Sequence, residues 1–425
     1  MEPRDYQLKA VADCRHAYAQ GARAVLLVLP TGGGKTVIGS LVVAGALAKG
    51  KRVLWVACRR ELVDQAAQRL PAPCGYIMAG RAPDPSAPVQ VASLDTVAAR
   101  EMPPVDLIVY DEAHHAVAAT SRQVLARCPK AHVLGLTATP VRGDGAALGD
   151  VFDALVLGPS VRELTDAGHL VPVRVVRPSR AYRALSEAPV KAWLQLSEGR
   201  PGFAFHRTVR DSQAFAEELS AQGVVTAHVD GETRSDVRAA AVEAFRSGEV
   251  ECLSSVNIFT EGVDVPRARF CLLARGCDSP GLYMQMVGRV LRPYRGKHDA
   301  LVVDLKGISH EHGLPDDDRV WSLEGVQGVV ASASDRLHIK QCEPCGYVWR
   351  PTEPFQACPR CGHDTYEAPR VVERKLIEAK PRAPFWPDAS EEKRRAYRLK
   401  LLEEAKRRRY RPGWVEARMR WAFGG

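Results

Sequence analysis

Lys35 and Thr36 close the run Pro30-Thr-Gly-Gly-Gly-Lys-Thr36, which follows an apolar stretch at 24–29 and opens a helical pattern reaching about Lys49. Thr31, Gly32, Gly33 and Gly34 are small enough for backbone amides to curl around phosphate oxygens at the positive end of that helix. Lys35 would then reach β- and γ-phosphates, and the Thr36 hydroxyl would ligate magnesium. The run lacks the first glycine of the full Walker pattern. Strand, loop, Lys-Thr pair and helix together still specify a nucleotide site. Such a site needs a carboxylate at a strand end, and the buried-strand pattern 105–110 runs into Asp111-Glu112. Asp111 can hold the metal through water, and Glu112 can orient or deprotonate the attacking water.

Cys342-Glu-Pro-Cys345 and Cys358-Pro-Arg-Cys361 form a second constellation, two C-x-x-C pairs separated by 12 residues. Pro344, Gly346, Pro359 and Gly362 supply the tight turns that metal knuckles require. Four thiolates in a segment without its own apolar core point to structural zinc and metal-dependent folding; a redox pair or an iron–sulfur cluster are the alternatives. Zinc offsets two of four thiolate charges, so this centre is not the main phosphate contact. Tyr347, Trp349 and Phe355 read as ribbon core rather than base-stacking platforms. The other seven cysteines are scattered and read as small hydrophobes.

Parallel strands with helices between them must position these groups. Apolar runs at 24–29, 53–57, 89–93, 105–110 and 132–136 are followed by a second set at 202–205, 224–229, 251–255, 269–274 and 300–303. Most are Val/Ile/Leu-rich with little alternation, as strands covered on both faces should be. The fold class is α/β, with two similar parallel-sheet lobes on either side of a Pro-containing stretch at 158–200. The Pro-rich stretch 71–88 reads as a surface loop. Near the C-terminus, Asp388-Ala-Ser390 reads as a helix start and Pro412-Gly413 as its stop. Tyr397, Leu401, Leu402 and Ala405 make an apolar stripe on that helix, and a short second helix is expected from Trp414.

Composition narrows the partners. The chain of 425 residues is 46% hydrophobic and 26% charged, which excludes wholesale disorder and suits two or three domains. No apolar run approaches the ~20 residues of a membrane span, and the acidic N-terminus lacks a secretion signal, so a cytoplasmic location is expected. Net charge is +9, of which residues 371–425 hold +8 (16 Lys/Arg against 8 Asp/Glu), whereas residues 1–335 are neutral. The basic tail therefore suggests a polyanion such as nucleic acid.

With Asp111-Glu-Ala-His114 in place, the chain resembles a superfamily 2 helicase of DEAD/DEAH-box type, and further motifs fall in the family's order. Arg4-Asp-Tyr-Gln7 resembles the adenine-reading Q motif, Cys58-Arg-Arg-Glu-Leu62 motif Ia, and Thr137-Ala-Thr-Pro140 motif III. Phe203-Ala-Phe-His-Arg-Thr208 sits at motif IV, Thr260-Glu-Gly-Val-Asp264 at motif V, and Gln285-Met-Val-Gly-Arg-Val-Leu-Arg292 at motif VI. Asp304-Leu-Lys-Gly, His312-Gly-Leu-Pro-Asp-Asp-Asp, Trp321-Ser-Leu and the cysteine module are similar to the RadD-type bacterial and phage DNA helicases.

The resemblance implies two RecA-like lobes, at 1–160 and 201–330, with a connector at 161–200, a zinc ribbon at 336–368 and a basic helical tail at 369–425. It implies that Lys35, Asp111, Glu112, Arg289 and Arg292 are catalytic, with either arginine as the finger. Gln7, Thr31 to Thr36, Gly262 and Asp264 would bind ATP, and Thr36 and Asp111 magnesium. His114, Thr137 and Thr139 would couple hydrolysis to strand grip, while Arg59, Thr96, Thr208 and Thr260 would touch nucleic acid. The implied activity is ATP-dependent DNA unwinding or translocation, on single-stranded or branched DNA, in repair, recombination or phage-related processing. Single-strand-binding or repair proteins are the implied partners. A restriction-type motor subunit and an RNA helicase remain alternatives.

Overall fold

The computed structural model describes residues 2–141, 147–178, 188–256, 258–259, 263–324, 339–353, 356–364, 389–408 and 413–423. Two compact units emerge, residues 1–366 and 367–425. In the first unit, one sheet contains β1 (Ala24–Val28), β2 (Val53–Ala57), β3 (Cys74–Ile77), β4 (Val89–Ser93), β5 (Leu107–Asp111), β6 (His132–Thr137) and β7 (Ala154–Leu157). Their spatial order is β3-β4-β2-β5-β6-β1-β7, with every pairing parallel. Every residue of β1, β2 and β5 is buried, because helices cover both faces. Val25 and Leu27 enter one apolar cluster with Val53 and Trp55, while Leu26 and Val28 enter the other with Leu54 and Val56. The run 71–88 is not wholly loop. It holds β3, a four-residue edge strand with alternating burial, whose short pattern is obscured by the flanking prolines.

The second sheet takes β8 (Val173–Val176), β9 (Gly202–Phe205), β10 (Thr226–Val229), β11 (Cys252–Ser255), β12 (Phe270–Leu273) and β13 (Ala300–Asp304). Its order is β10-β11-β9-β12-β13-β8, again parallel. The stretch read as a connector thus supplies β8 to this sheet. It also places Trp193 of helix Pro189–Leu196 beneath the sheet, edge-on to Phe270. The ribbon strands β14 (Lys340–Gln341) and β15 (Tyr347–Trp349) continue the same sheet, β15 pairing antiparallel with β8. Gly346 sits at φ 68°, and a Cβ there would lie 2.4 Å from the Arg177 carbonyl oxygen, so only glycine allows this approach.

In the second unit, helices Glu391–Arg408 and Trp414–Phe423 pack on each other. Leu401 is buried and the Tyr397 ring meets Phe423 edge-on. Leu402, expected on the same stripe, is 47% exposed. The stripe is narrower than the sequence suggested because a short helix covers it. No described helix is long and apolar enough to cross a membrane.

Candidate nucleotide site and zinc ribbon

Adjacent strands β5, β6 and β1 end side by side, so the loops after them converge at the carboxyl edge of the first sheet. Crevices of parallel sheets bind ligands at that edge. The loop after β1 carries Thr31 to Gly34, and helix Lys35–Leu47 begins at its end. Gly34 takes φ 90°, and a Cβ there would come 2.3 Å from Gln7 Nε2. Tyr6 donates its hydroxyl to Gly33 O at 2.7 Å and Gln7 Nε2 donates to the same oxygen at 3.3 Å. Gln7 Oε1 in turn accepts from Arg4 N at 3.0 Å. The expected adenine reader therefore also braces the phosphate loop.

Asp111 and Glu112 are both buried. Glu112 adopts φ 50° in the left-handed region, a conformation costing a non-glycine residue on the order of 1–3 kcal/mol. That turn carries its carboxylate into the cleft, where Oε2 is buried without a hydrogen bond and lies 3.6 Å from His114 Nδ1. His114 Nδ1 is also 3.2 Å from Thr137 Oγ1, and Thr137 Oγ1 donates to Thr139 O at 2.8 Å. The other imidazole nitrogen lies 3.5 Å from Gln285 Nε2 of the second lobe. Gln285 had no assigned role in the sequence, yet it completes a polar path from Glu112 across the cleft.

A cavity of about 650 Å³ lies between the lobes, lined by Gln7, Lys35, Thr36, Asp111, Asp264 and Arg292 among others. Thr31, Gly32, Gly34, Glu112 and Arg289 also border it, so nearly every described ATP-site candidate meets in one place. Burial pushes the half-buried Lys35 ammonium below its usual range, against the opposing pull of Glu112 and Asp111. Arg289 donates to Val263 O at 2.8 Å, and Arg292 pairs with Asp264. Arg69 of the first lobe reaches the same carboxylate at 3.1 Å. Burial would raise the Asp264 carboxyl, but Arg292 and Arg69 outweigh it and hold it below the usual range. Gly288 makes the lobe contact close, since a Cβ there would lie 2.5 Å from Thr31 Cβ. Arg69 was missed because it lies outside every motif; only the fold brings it to Asp264.

The nucleic-acid candidates do not gather in that cavity. Arg59 donates across the cleft to Ile258 O at 3.0 Å. Thr96 accepts from Ser93 at 2.8 Å, and the exposed Thr208 caps helix Val209–Ala221 through Asp211 N. Thr260 and Gly262 lie outside the described residues.

The four ribbon cysteines bring their sulfurs within 4.8 Å of one another. Two of these separations are 3.6 and 3.7 Å, Cys342–Cys361 and Cys345–Cys358. Tetrahedral ligands at Zn–S distances of about 2.3 Å would stand about 3.8 Å apart, so the donor set fits zinc. Backbone knuckles support it, with Gly346 N donating to Cys342 O and Gly362 N to Cys358 O, each at 2.8 Å. Trp349 is buried beside Cys342 and Cys358, with Tyr347 stacked on it, as ribbon core requires. Phe355 lies outside the described residues. One zinc per chain is the expected result of metal analysis. The Cys342→Ala/Cys361→Ala double variant should lose it together with the ribbon's protection from proteolysis; unchanged zinc content would refute the assignment.

Two family models divide the chain, "Type III restriction enzyme, res subunit" over residues 1–142 and "Helicase conserved C-terminal domain" over 184–294. A 51.5 kDa protein of a Lactococcus phage is 28% identical over 362 residues, covering 79% of this chain and 77% of its own. The candidate ATP-dependent helicase IRC3 of Saccharomyces cerevisiae is 27% identical over 397 residues, covering 79% of this chain, which spans only 58% of that relative. Among solved structures, a fragment of a candidate HsdR subunit of a Vibrio vulnificus YJ016 type I restriction enzyme aligns with a TM-score of 0.61. That match is 24% identical and covers 74% of this chain and 66% of the other, so it speaks for the fold. The paired RecA-like lobes with a shared nucleotide cleft define a superfamily 2 motor. The chain belongs to the DEAD/DEAH-type helicases of that superfamily and carries the machinery of a nucleic-acid-dependent ATPase.

Proposed function

We propose that this chain is an ATP-driven DNA translocase or helicase. The observation that carries the reading is the inter-lobe cavity where Lys35 and Glu112 of one lobe face Arg289 and Arg292 of the other. Bound ATP would draw the lobes together, and its hydrolysis would release them. Thr36 and Asp111, which both line this cavity, would hold magnesium, and the ion would neutralise phosphate charge when bound. Glu112 takes a proton from water; Lys35 and the arginines stabilise the transferring phosphoryl group. His114, Thr137 and Gln285 relay the change between lobes.

DNA is favoured over RNA by the restriction-enzyme character of the first lobe's family model. That likeness also supports a second reading, a restriction-type motor subunit. Among the described residues, the cysteine set is the only group of three or more His, Cys, Asp or Glu side chains close enough together to share a metal ion. Repair, recombination or phage DNA processing in the cytoplasm is the setting we infer.

The test is ATP turnover without nucleic acid, with single-stranded DNA and with RNA. Stimulation by DNA of tenfold or more is expected, and none by either polymer overturns the proposal. Exposed Lys393, Arg395, Arg398 and Lys400 on the tail helix should add electrostatic affinity. If about four tail cations reach phosphates, truncation after Arg370 should flatten the log affinity against log salt plot by about 3 units. Turnover at saturating DNA should persist.

A further inference from the structure

The Trp321 and Asp317 motifs belong to neither the nucleotide site nor the cysteine site. Leu314 is buried in the second lobe's core, and its N–H donates to Asp317 Oδ2 at 2.8 Å. Arg319 gathers the turn by donating to the carbonyls of His312 at 3.1 Å and Leu314 at 2.9 Å. The chain then crosses to the first lobe, where Trp321 and Leu323 pack against the cluster holding Leu26, Leu148 and Phe152. Leu323 O accepts from Gly149 N at 2.8 Å. The ribbon grips the same turn from outside, because Arg350 clasps Asp317 with Nε–Oδ1 at 2.8 Å and Nη2–Oδ2 at 2.6 Å. Asp317 is buried, so a two-pronged charged contact there resists displacement better than an exposed pair would.

We propose that residues 314–323 form a strap between the lobes, anchored by Trp321 in the first lobe and fastened by Arg350 of the ribbon, that sets the spacing of Arg292 from the phosphate loop. The inference rests on the ATP-hydrolysing reading of the cleft. That spacing is tight: a Cβ on Gly32 would lie 3.1 Å from Arg292 Cγ. Trp321, Asp317 and Arg350 are positioning residues, since none borders the nucleotide cavity. The arrangement also gives the ribbon a task, which is to stiffen the strap from the second sheet's far edge.

The test uses the full chain and two readouts, equilibrium binding of a non-hydrolysable ATP analogue and the separate values of kcat and KM. Trp321→Ala should weaken analogue binding and raise KM by about tenfold, about 1.4 kcal/mol, with kcat at saturating ATP within about twofold. Trp321→Phe, which keeps an apolar plug, should restore both. Arg350→Ala should act in the same direction by a smaller factor. If Trp321→Ala does not fold, Leu323→Ala and Arg350→Ala carry the same comparison. Unchanged analogue affinity in the folded variants overturns the strap. Analogue binding needs no turnover, so a protein that binds but never hydrolyses ATP would overturn the ATPase reading separately.

Discussion

Glu112→Gln should reduce ATP turnover by about 10²–10⁴-fold, the range that a positioned general base supplies, while ATP still binds. Gln keeps the size of the side chain, so Lys35 and the loop at 31–34 retain their phosphate contacts. It removes the only buried carboxylate oxygen at the cleft that lacks a hydrogen bond among the described residues, the atom free to accept a proton from water. The unusual φ of 50° at this position is kept by the Ala113–His115 turn that follows, which Gln also allows. Steady-state turnover and equilibrium nucleotide binding, measured on the same preparation, check both halves. Normal turnover would mean that another group activates the water.

Arg292→Ala and Arg289→Ala should each lower kcat by about 10³–10⁵, the range known for arginines that stabilise phosphoryl charge. Both border the cavity opposite Lys35, and both depress its ammonium after burial has done so. Because they act on one developing charge, the double variant should be little worse than the poorer single one. Arg292→Ala has a second consequence: Asp264 loses the Arg292 guanidinium and is left with Arg69 among the described residues. Turnover by single-cycle kinetics separates this chemical loss from weaker binding. A loss under tenfold in both single variants would refute catalysis in cis by the second lobe.

Local order alone determined much of this protein. Glycines before Lys35-Thr36, a strand ending at Asp111-Glu112, and cysteine pairs at knuckle spacing each specify chemistry within a few residues, because the backbone itself holds those groups together. The same holds for the central strands, whose unbroken apolar runs reflect burial on both faces. Strands β3, β7 and β8 escaped because edge or short strands carry little pattern, and prolines flank them. What only the tertiary structure decided are pairings across long separations. Arg69 and Asp264 meet at 195 residues' distance, and His114 and Gln285 at 171. The ribbon proved continuous with the second sheet, since backbone hydrogen bonding along β8 is indifferent to the side chains that sequence patterns record. Trp321 read as a motif without a task until its ring was seen against the other lobe. Contacts of that kind depend on how two cores are placed, and no periodicity along one chain encodes that placement.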